Sequence, residues 1–244
     1  MNEHGQEIVL LVHPNGSICE VYKYGATVTR FKTACGREVI WVSEKAKLDG
    51  SKAIRGGIPI VFPQFGRPDE RMPQHGFVRN AKWTLLEGNS VNRKSAEHAE
   101  IMCTLGIGHE SATHEAWPHP YKLELAVKLL PGKLVTSLTV TNLGAAAFEF
   151  QTLLHTYYAV DHISNVQVGA RVHDRNCPSA WWAAGHCAQN CLSLDGLASL
   201  PALVECALIT AANLRCRSAA STAATLWTSS CRTPRPSILR SGRL

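Results

Sequence analysis

The run Tyr121–Leu130 alternates Leu123, Leu125, Val127 and Leu129 with Lys122, Glu124 and Lys128. An extended backbone sends successive side chains to opposite faces, so this pattern predicts a strand with one buried face. Pro131-Gly132 follows as a turn pair, and Lys133–Asn142 then carries Leu134, Leu138 and Val140 on one face. The two runs predict an antiparallel hairpin whose apolar side must be covered by a second layer. Shorter β-branched or aromatic runs at 7–13, 17–24, 26–32 and 38–43 are split by Pro14-Asn15-Gly16, Gly25 and Cys35-Gly36. Residues 148–160 read as a longer strand, with Phe148, Phe150, Thr152 and Leu154 on one side and Glu149, Gln151, His155 and Tyr157 on the other. Many short strands at regular spacing predict an all-β sandwich or barrel. His155, on the polar side of its strand, then faces a cleft.

A chain of 244 residues that is 45% hydrophobic and 18% charged suits one soluble domain with a substantial core. It has no apolar run of about eighteen residues, so no membrane span is expected. The N-terminal MNEHGQEIVLLVH carries acids early and lacks a basic segment, which does not read as a secretory signal. A cytoplasmic setting with reduced thiols is the expectation.

Chemistry concentrates in Ile54-Arg55-Gly56-Gly57-Ile58-Pro59, Val61-Phe62-Pro63-Gln64-Phe65-Gly66 and Pro73-Gln74-His75-Gly76-Phe77-Val78-Arg79. Glycine and proline make these segments loops and tight bends, where binding residues usually sit. Arginine offers a planar fork of donors to phosphate or carboxylate oxygens, and histidine exchanges protons near neutral pH. The combination reads as a site for an anionic, hydroxyl-rich small molecule. Each residue also has a plainer reading: most arginines are ordinary surface residues, and glycines simply make turns. His4, His13, His98, His109, His114 and His119 have no partner pattern and are read as surface residues.

Together with Gln151-Thr152-Leu153-Leu154-His155-Thr156-Tyr157-Tyr158, these motifs resemble the glucose-6-phosphate 1-epimerase (hexose-6-phosphate mutarotase) branch of the aldose 1-epimerase family. The resemblance covers about residues 6–168. It implies an antiparallel β-sandwich of the galactose mutarotase-like type, incomplete at its C-terminal end, with the site on one concave face. It implies that Arg55, Gln74 and Arg79 contact a sugar phosphate, that His155 is the acid serving the ring oxygen, and that His75 is a second site histidine. Mutarotation takes a proton from the anomeric hydroxyl, gives one to the ring oxygen, and lets the opened aldehyde end rotate before reclosure. A positioned acid and base each contribute about 10²–10⁴-fold to such a step. Neither metal nor redox cofactor is required, and the expected partner is a hexose 6-phosphate bound by a monomer. The family's general base is a glutamate near the end of its chain, preceded by an aspartate that holds sugar hydroxyls. Neither has a counterpart here, and Glu205 lies in no matching context. A sugar-phosphate binding protein without turnover is the alternative, as is an inactive truncated paralogue.

Composition changes where the resemblance stops. Residues 1–168 hold 17 Lys+Arg against 16 Asp+Glu, whereas 169–244 hold 8 Arg, no Lys, 3 acids and six of the nine cysteines. We read 1–168 as a partial sandwich domain and 169–244 as an out-of-frame continuation from near Val168. A second domain or a disordered tail remains the alternative. His173, Cys177, His186, Cys187 and Cys191 could supply soft ligands to zinc, but the cysteine richness continues unpaired to Cys231, so no metal site is assigned. The basic tail lacks Lys/Arg clusters and stacking aromatics, so neither nucleic acid nor anionic lipid is expected as a partner.

Overall fold

The structure, a computed structural model, describes residues 1–92 and 99–171, together with strand segments at 190–195, 204–208, 214–216 and 230–231. No α-helix occurs among the described residues. Strands β1 (Ile8–Val12), β2 (Ile18–Tyr22) and β3 (Val28–Lys32) form a three-stranded antiparallel sheet in that order. After β4 (Ile60–Val61) come β5 (Thr84–Asn92), β6 (Glu100–Gly108), β7 (Tyr121–Leu130) and β8 (Lys133–Asn142). The strands β9 (Phe148–Phe150), β10 (Leu153–Leu154), β11 (Gln167–Arg171), β12 (Asn190–Asp195), β13 (Val204–Leu208), β14 (Leu214–Cys216) and β15 (Ser230–Cys231) complete the set. The large sheet has eight strands in the order β11-β12-β13-β15-β8-β7-β6-β5.

The hairpin forms with the ends that the alternation sets, in unbroken register from Tyr121 opposite Asn142 to Leu130 opposite Lys133. Gly132 turns it at φ 65°, a left-handed value that glycine takes without steric penalty. Leu123, Leu125, Val127 and Leu129 are buried, as are Leu134, Leu138 and Val140. Leu11, Cys19, Val21 and Phe31 of the small sheet join them in one continuous core. The two sheets therefore stack as a sandwich, the antiparallel all-β architecture expected from the sequence.

Three expectations need correction. His13 is not a surface residue: it is buried, with Nε2 2.9 Å from the Ala99 carbonyl and Nδ1 accepting the Asn15 N–H at 3.1 Å. It continues the inward face of β1 after Val9 and Leu11 and ties that strand to the segment entering β6. The long strand at 148–160 is broken, because β9 pairs with β14 whereas β10 pairs with β4. Between them Gln151 donates its N–H to Pro63, and the Thr152 hydroxyl donates to Val61. Residues 38–43 make isolated bridges instead of a strand: Glu38 meets Lys32, Ile40 meets Tyr158, and Val42 meets Gly56.

This interleaving builds the floor of the motif region. Trp41 N–H donates to Tyr157 at 3.0 Å, Tyr157 N–H to Gly57 at 2.9 Å, and Gly57 N–H to Trp41 at 2.8 Å. His155 N–H donates to Pro59 at 2.9 Å. The segments 54–59 and 151–158 are thereby fastened to each other and to Trp41 through their backbones.

Candidate active site

The loop of the second motif closes on that of the third. His75 N–H donates to the Gly66 carbonyl at 2.7 Å, and Gly66 N–H returns a bond to His75 Nδ1 at 3.0 Å. Phe62 N–H donates to His75 and Phe77 N–H to Phe62. Gly76 sits so close that a Cβ there would stand 1.8 Å from the Phe62 carbonyl oxygen. His75 itself takes φ 66°, uncommon outside glycine and a mark of a position fixed by its surroundings. Gln64 is buried inside the loop, donating to the Asp69 and Pro73 carbonyls and accepting from Asp69 N–H. Its role is to hold the loop.

Aromatic rings line the face above this floor. His75 and His155 approach to 5.9 Å between ring centroids, edge to face. Tyr157 stacks on His155 at 4.8 Å and 18°, and Trp41 follows Tyr157 at 6.0 Å. Phe65 closes the other end, 5.2 Å from His75. Trp41 and Phe65 are each 43% exposed, unusual for large apolar rings whose backbones are anchored.

Protonation follows from the contacts. Because a backbone N–H occupies His75 Nδ1, the neutral ring carries its proton on Nε2 and presents a donor to a ligand. Burial, with the Arg79 guanidinium and the His155 ring beside it, holds His75 below the usual imidazole value. Arg79 is half-buried and donates Nη2–H to the Gln74 carbonyl at 2.8 Å, while its Nε is buried without a partner. Burial lowers its pKa and the nearby Tyr157 acts in the opposite direction, yet a guanidinium stays charged at any physiological pH. A charged, buried, unpartnered donor is unfavourable unless something else satisfies it.

The structure thus brings His75, His155 and Arg79 together. Gln74 contributes its backbone carbonyl to Arg79, and its side chain is exposed. Arg55 is exposed, anchored through its carbonyl to Ser43 N–H, and its guanidinium makes no bond among the described residues. Gly56 and Gly57 serve backbone packing: a Cβ would stand 2.5 Å from Val42 Cα at Gly56 and 2.4 Å from the Val28 carbonyl oxygen at Gly57. Tyr157, Trp41 and Phe65 were not singled out from the sequence. Tyr157 and Phe65 lie inside the quoted motifs, so their membership was the available signal, whereas Trp41 had none. Among the described residues no carboxylate bonds to either histidine, and no cluster of metal-binding side chains forms. His173, Cys177, His186 and Cys187 lie outside the described residues, and only the backbone of Cys191 and Glu205 is described.

A family model described as aldose 1-epimerase matches residues 7–180. A protein of Cenchrus ciliaris, provisionally named glucose-6-phosphate 1-epimerase, is 35% identical over 168 residues, which is 67% of this chain and 50% of that protein. A provisionally named mutarotase from Salmonella typhimurium, known as a crystal structure, superposes with a TM-score of 0.58 at 28% identity. It covers 68% of this chain and 52% of its own. A galactose mutarotase-like protein from Clostridium acetobutylicum shares the fold with a TM-score of 0.52 at 18% identity, over 68% of this chain and 59% of its own. The chain spans about half the length of the curated relatives it matches.

Proposed function

This chain belongs to the aldose 1-epimerase family, and on that premise we propose that its site takes a hexose 6-phosphate and exchanges the sugar's α and β anomers. The observation that carries the reading is Arg79: a half-buried guanidinium with an unpartnered Nε, beside a histidine pair 5.9 Å apart. A phosphate oxygen would satisfy that donor and remove the penalty of leaving it buried. Arg55 and the exposed Gln74 amide supply further donors to the same anion, while Trp41 and Phe65 flank the sugar ring. His155 delivers a proton to the ring oxygen as the C1–O5 bond breaks. His75 donates Nε2–H to a sugar hydroxyl, a role its occupied Nδ1 favours over that of a base.

The proton on the anomeric hydroxyl must leave in the same step. The sequence offers no counterpart of the glutamate base that the family resemblance implies, so water takes that proton in our account. Losing a positioned base costs about 10²–10⁴-fold, which makes turnover slow and favours binding without turnover as the second reading. Exchange NMR on equilibrated glucose 6-phosphate tests both: the magnetisation-transfer rate between anomers is compared with and without the chain. A modest acceleration lost in His155→Ala supports slow catalysis. Binding with no acceleration supports the second reading, and absence of binding contradicts both.

A further inference from the structure

His155 is oriented by stacking. Its ring makes no hydrogen bond or ion pair among the described residues, although a proton-transferring group needs its ring plane held to about 10–20°. What touches it are two rings: His75 edge-on at 5.9 Å, and Tyr157 nearly parallel at 4.8 Å and 18°. Tyr157 lies two residues further along, past the tight turn that the Thr156 N–H closes onto the Leu154 carbonyl, and the stack itself places both rings on one side of the segment. Its backbone is pinned from both sides, N–H to Gly57 and carbonyl to Trp41, and the Trp41 ring backs it at 6.0 Å. The Tyr157 hydroxyl makes no hydrogen bond among the described residues and acts electrostatically on Arg79, so it is the ring face of Tyr157 that meets His155.

We propose that Tyr157 is a positioning residue, fixing the plane of the His155 imidazole by stacking while Trp41 fixes Tyr157. The inference rests on the anomer-exchange reading of the site, with Tyr157 acting through His155. An acid whose ring can swing past its productive geometry loses rate with little loss of substrate affinity, because the ring's plane matters in the transition state more than in the bound ground state. A displacement of about 1 Å at a reacting group is worth about 10²-fold.

The test uses the full chain, isotopically labelled at histidine. In the parent, the Tyr157 ring current moves the His155 Cε1 proton upfield. Tyr157→Leu moves that resonance downfield and lowers kcat for anomer exchange by about 10–10²-fold with KM little changed. Tyr157→Phe restores both, since it keeps the ring and drops only the hydroxyl. If Tyr157→Leu does not fold, Trp41→Ala replaces it: this half-exposed ring can be removed, and the His155 resonance then moves part of the way downfield. An unmoved His155 resonance in the Leu variant, or in Trp41→Ala where that stands in, overturns the proposal. So does a Phe variant as impaired as the Leu variant, which would make the hydroxyl the active part. Should the parent accelerate no exchange, the anomer-exchange reading fails separately, and the His155 shift in Trp41→Ala, which keeps the Tyr157 ring, decides whether the stack holds His155.

Discussion

Gly76→Ala tests whether the loop holding His75 is as tightly set as the geometry requires. The new Cβ would stand 1.8 Å from the Phe62 carbonyl oxygen, 2.3 Å from its carbon and 2.7 Å from Pro63 N, all of them backbone atoms. No side chain can swing aside to make room, so the two segments must part. Parting them breaks the bonds from Phe62 N–H to His75 and from Phe77 N–H to Phe62, each worth about 0.5–1.5 kcal/mol net. Alanine at φ 73° adds about 1–2 kcal/mol of backbone strain. The expected destabilisation is about 2–5 kcal/mol, a large part of a typical domain's 5–15 kcal/mol. Gly16→Ala is the control: its φ is 90°, but nothing lies within 4 Å of the added Cβ, so it carries the strain without the clash. Urea unfolding of both variants reads the difference. A Gly76→Ala loss no greater than that of Gly16→Ala would refute the reasoning.

The remaining predictions concern pH, the core and the tail. Because His75 titrates lower in the folded chain than in the unfolded one, its contribution to stability is full above about pH 6.5 and declines on acidification below it. Urea midpoints across that range should show the slope, and His75→Asn, which tolerates the left-handed backbone, should flatten it. Glu7, held at about 2 by Lys23 and then Lys82, adds stability that is present above the ordinary carboxylate range and lost as pH falls towards that value. His13→Ala leaves the Ala99 carbonyl unsatisfied inside the sandwich and should cost about 1–3 kcal/mol in the same assay, with glucose 6-phosphate affinity unchanged. For the tail, the nucleotide sequence after codon 168 is expected to encode an aspartate and then a glutamate in strand-like context in a shifted frame, whereas stop codons throughout both other frames would count against that expectation.

The sequence was most legible where the strand period ran undisturbed. Tyr121–Leu130 and Lys133–Asn142 were bounded to the residue because each alternates cleanly and Pro131-Gly132 admits only a turn. Strand β6 escaped notice although Ile101, Cys103, Leu105 and Ile107 are buried, since Gly106 and Gly108 occupy the alternate positions and blur the contrast. Its partner β5 shifts register against it between Leu85 and Ser90, which destroys the period. His13 could have been placed correctly: Val9, Leu11 and His13 share one parity, and that parity faces inward. Trp41 was out of reach, because Ile40 and Val42 bridge to different segments and no local pattern forecasts such a crossing. The site residues were legible through motif membership, while the tautomer of His75 and the orphaned Nε of Arg79 depend on contacts that only the fold creates.

Titration calorimetry with glucose 6-phosphate and with glucose, on the parent and on Arg79→Ala, addresses the central claim most directly. Charge-assisted hydrogen bonds to phosphate are worth about 1.5–3 kcal/mol each. The phosphorylated sugar should therefore bind at least about tenfold more tightly than the free sugar, and Arg79→Ala should remove most of that difference. Equal affinity of the parent for the two ligands would contradict a phosphate site at Arg79 and the account built on it.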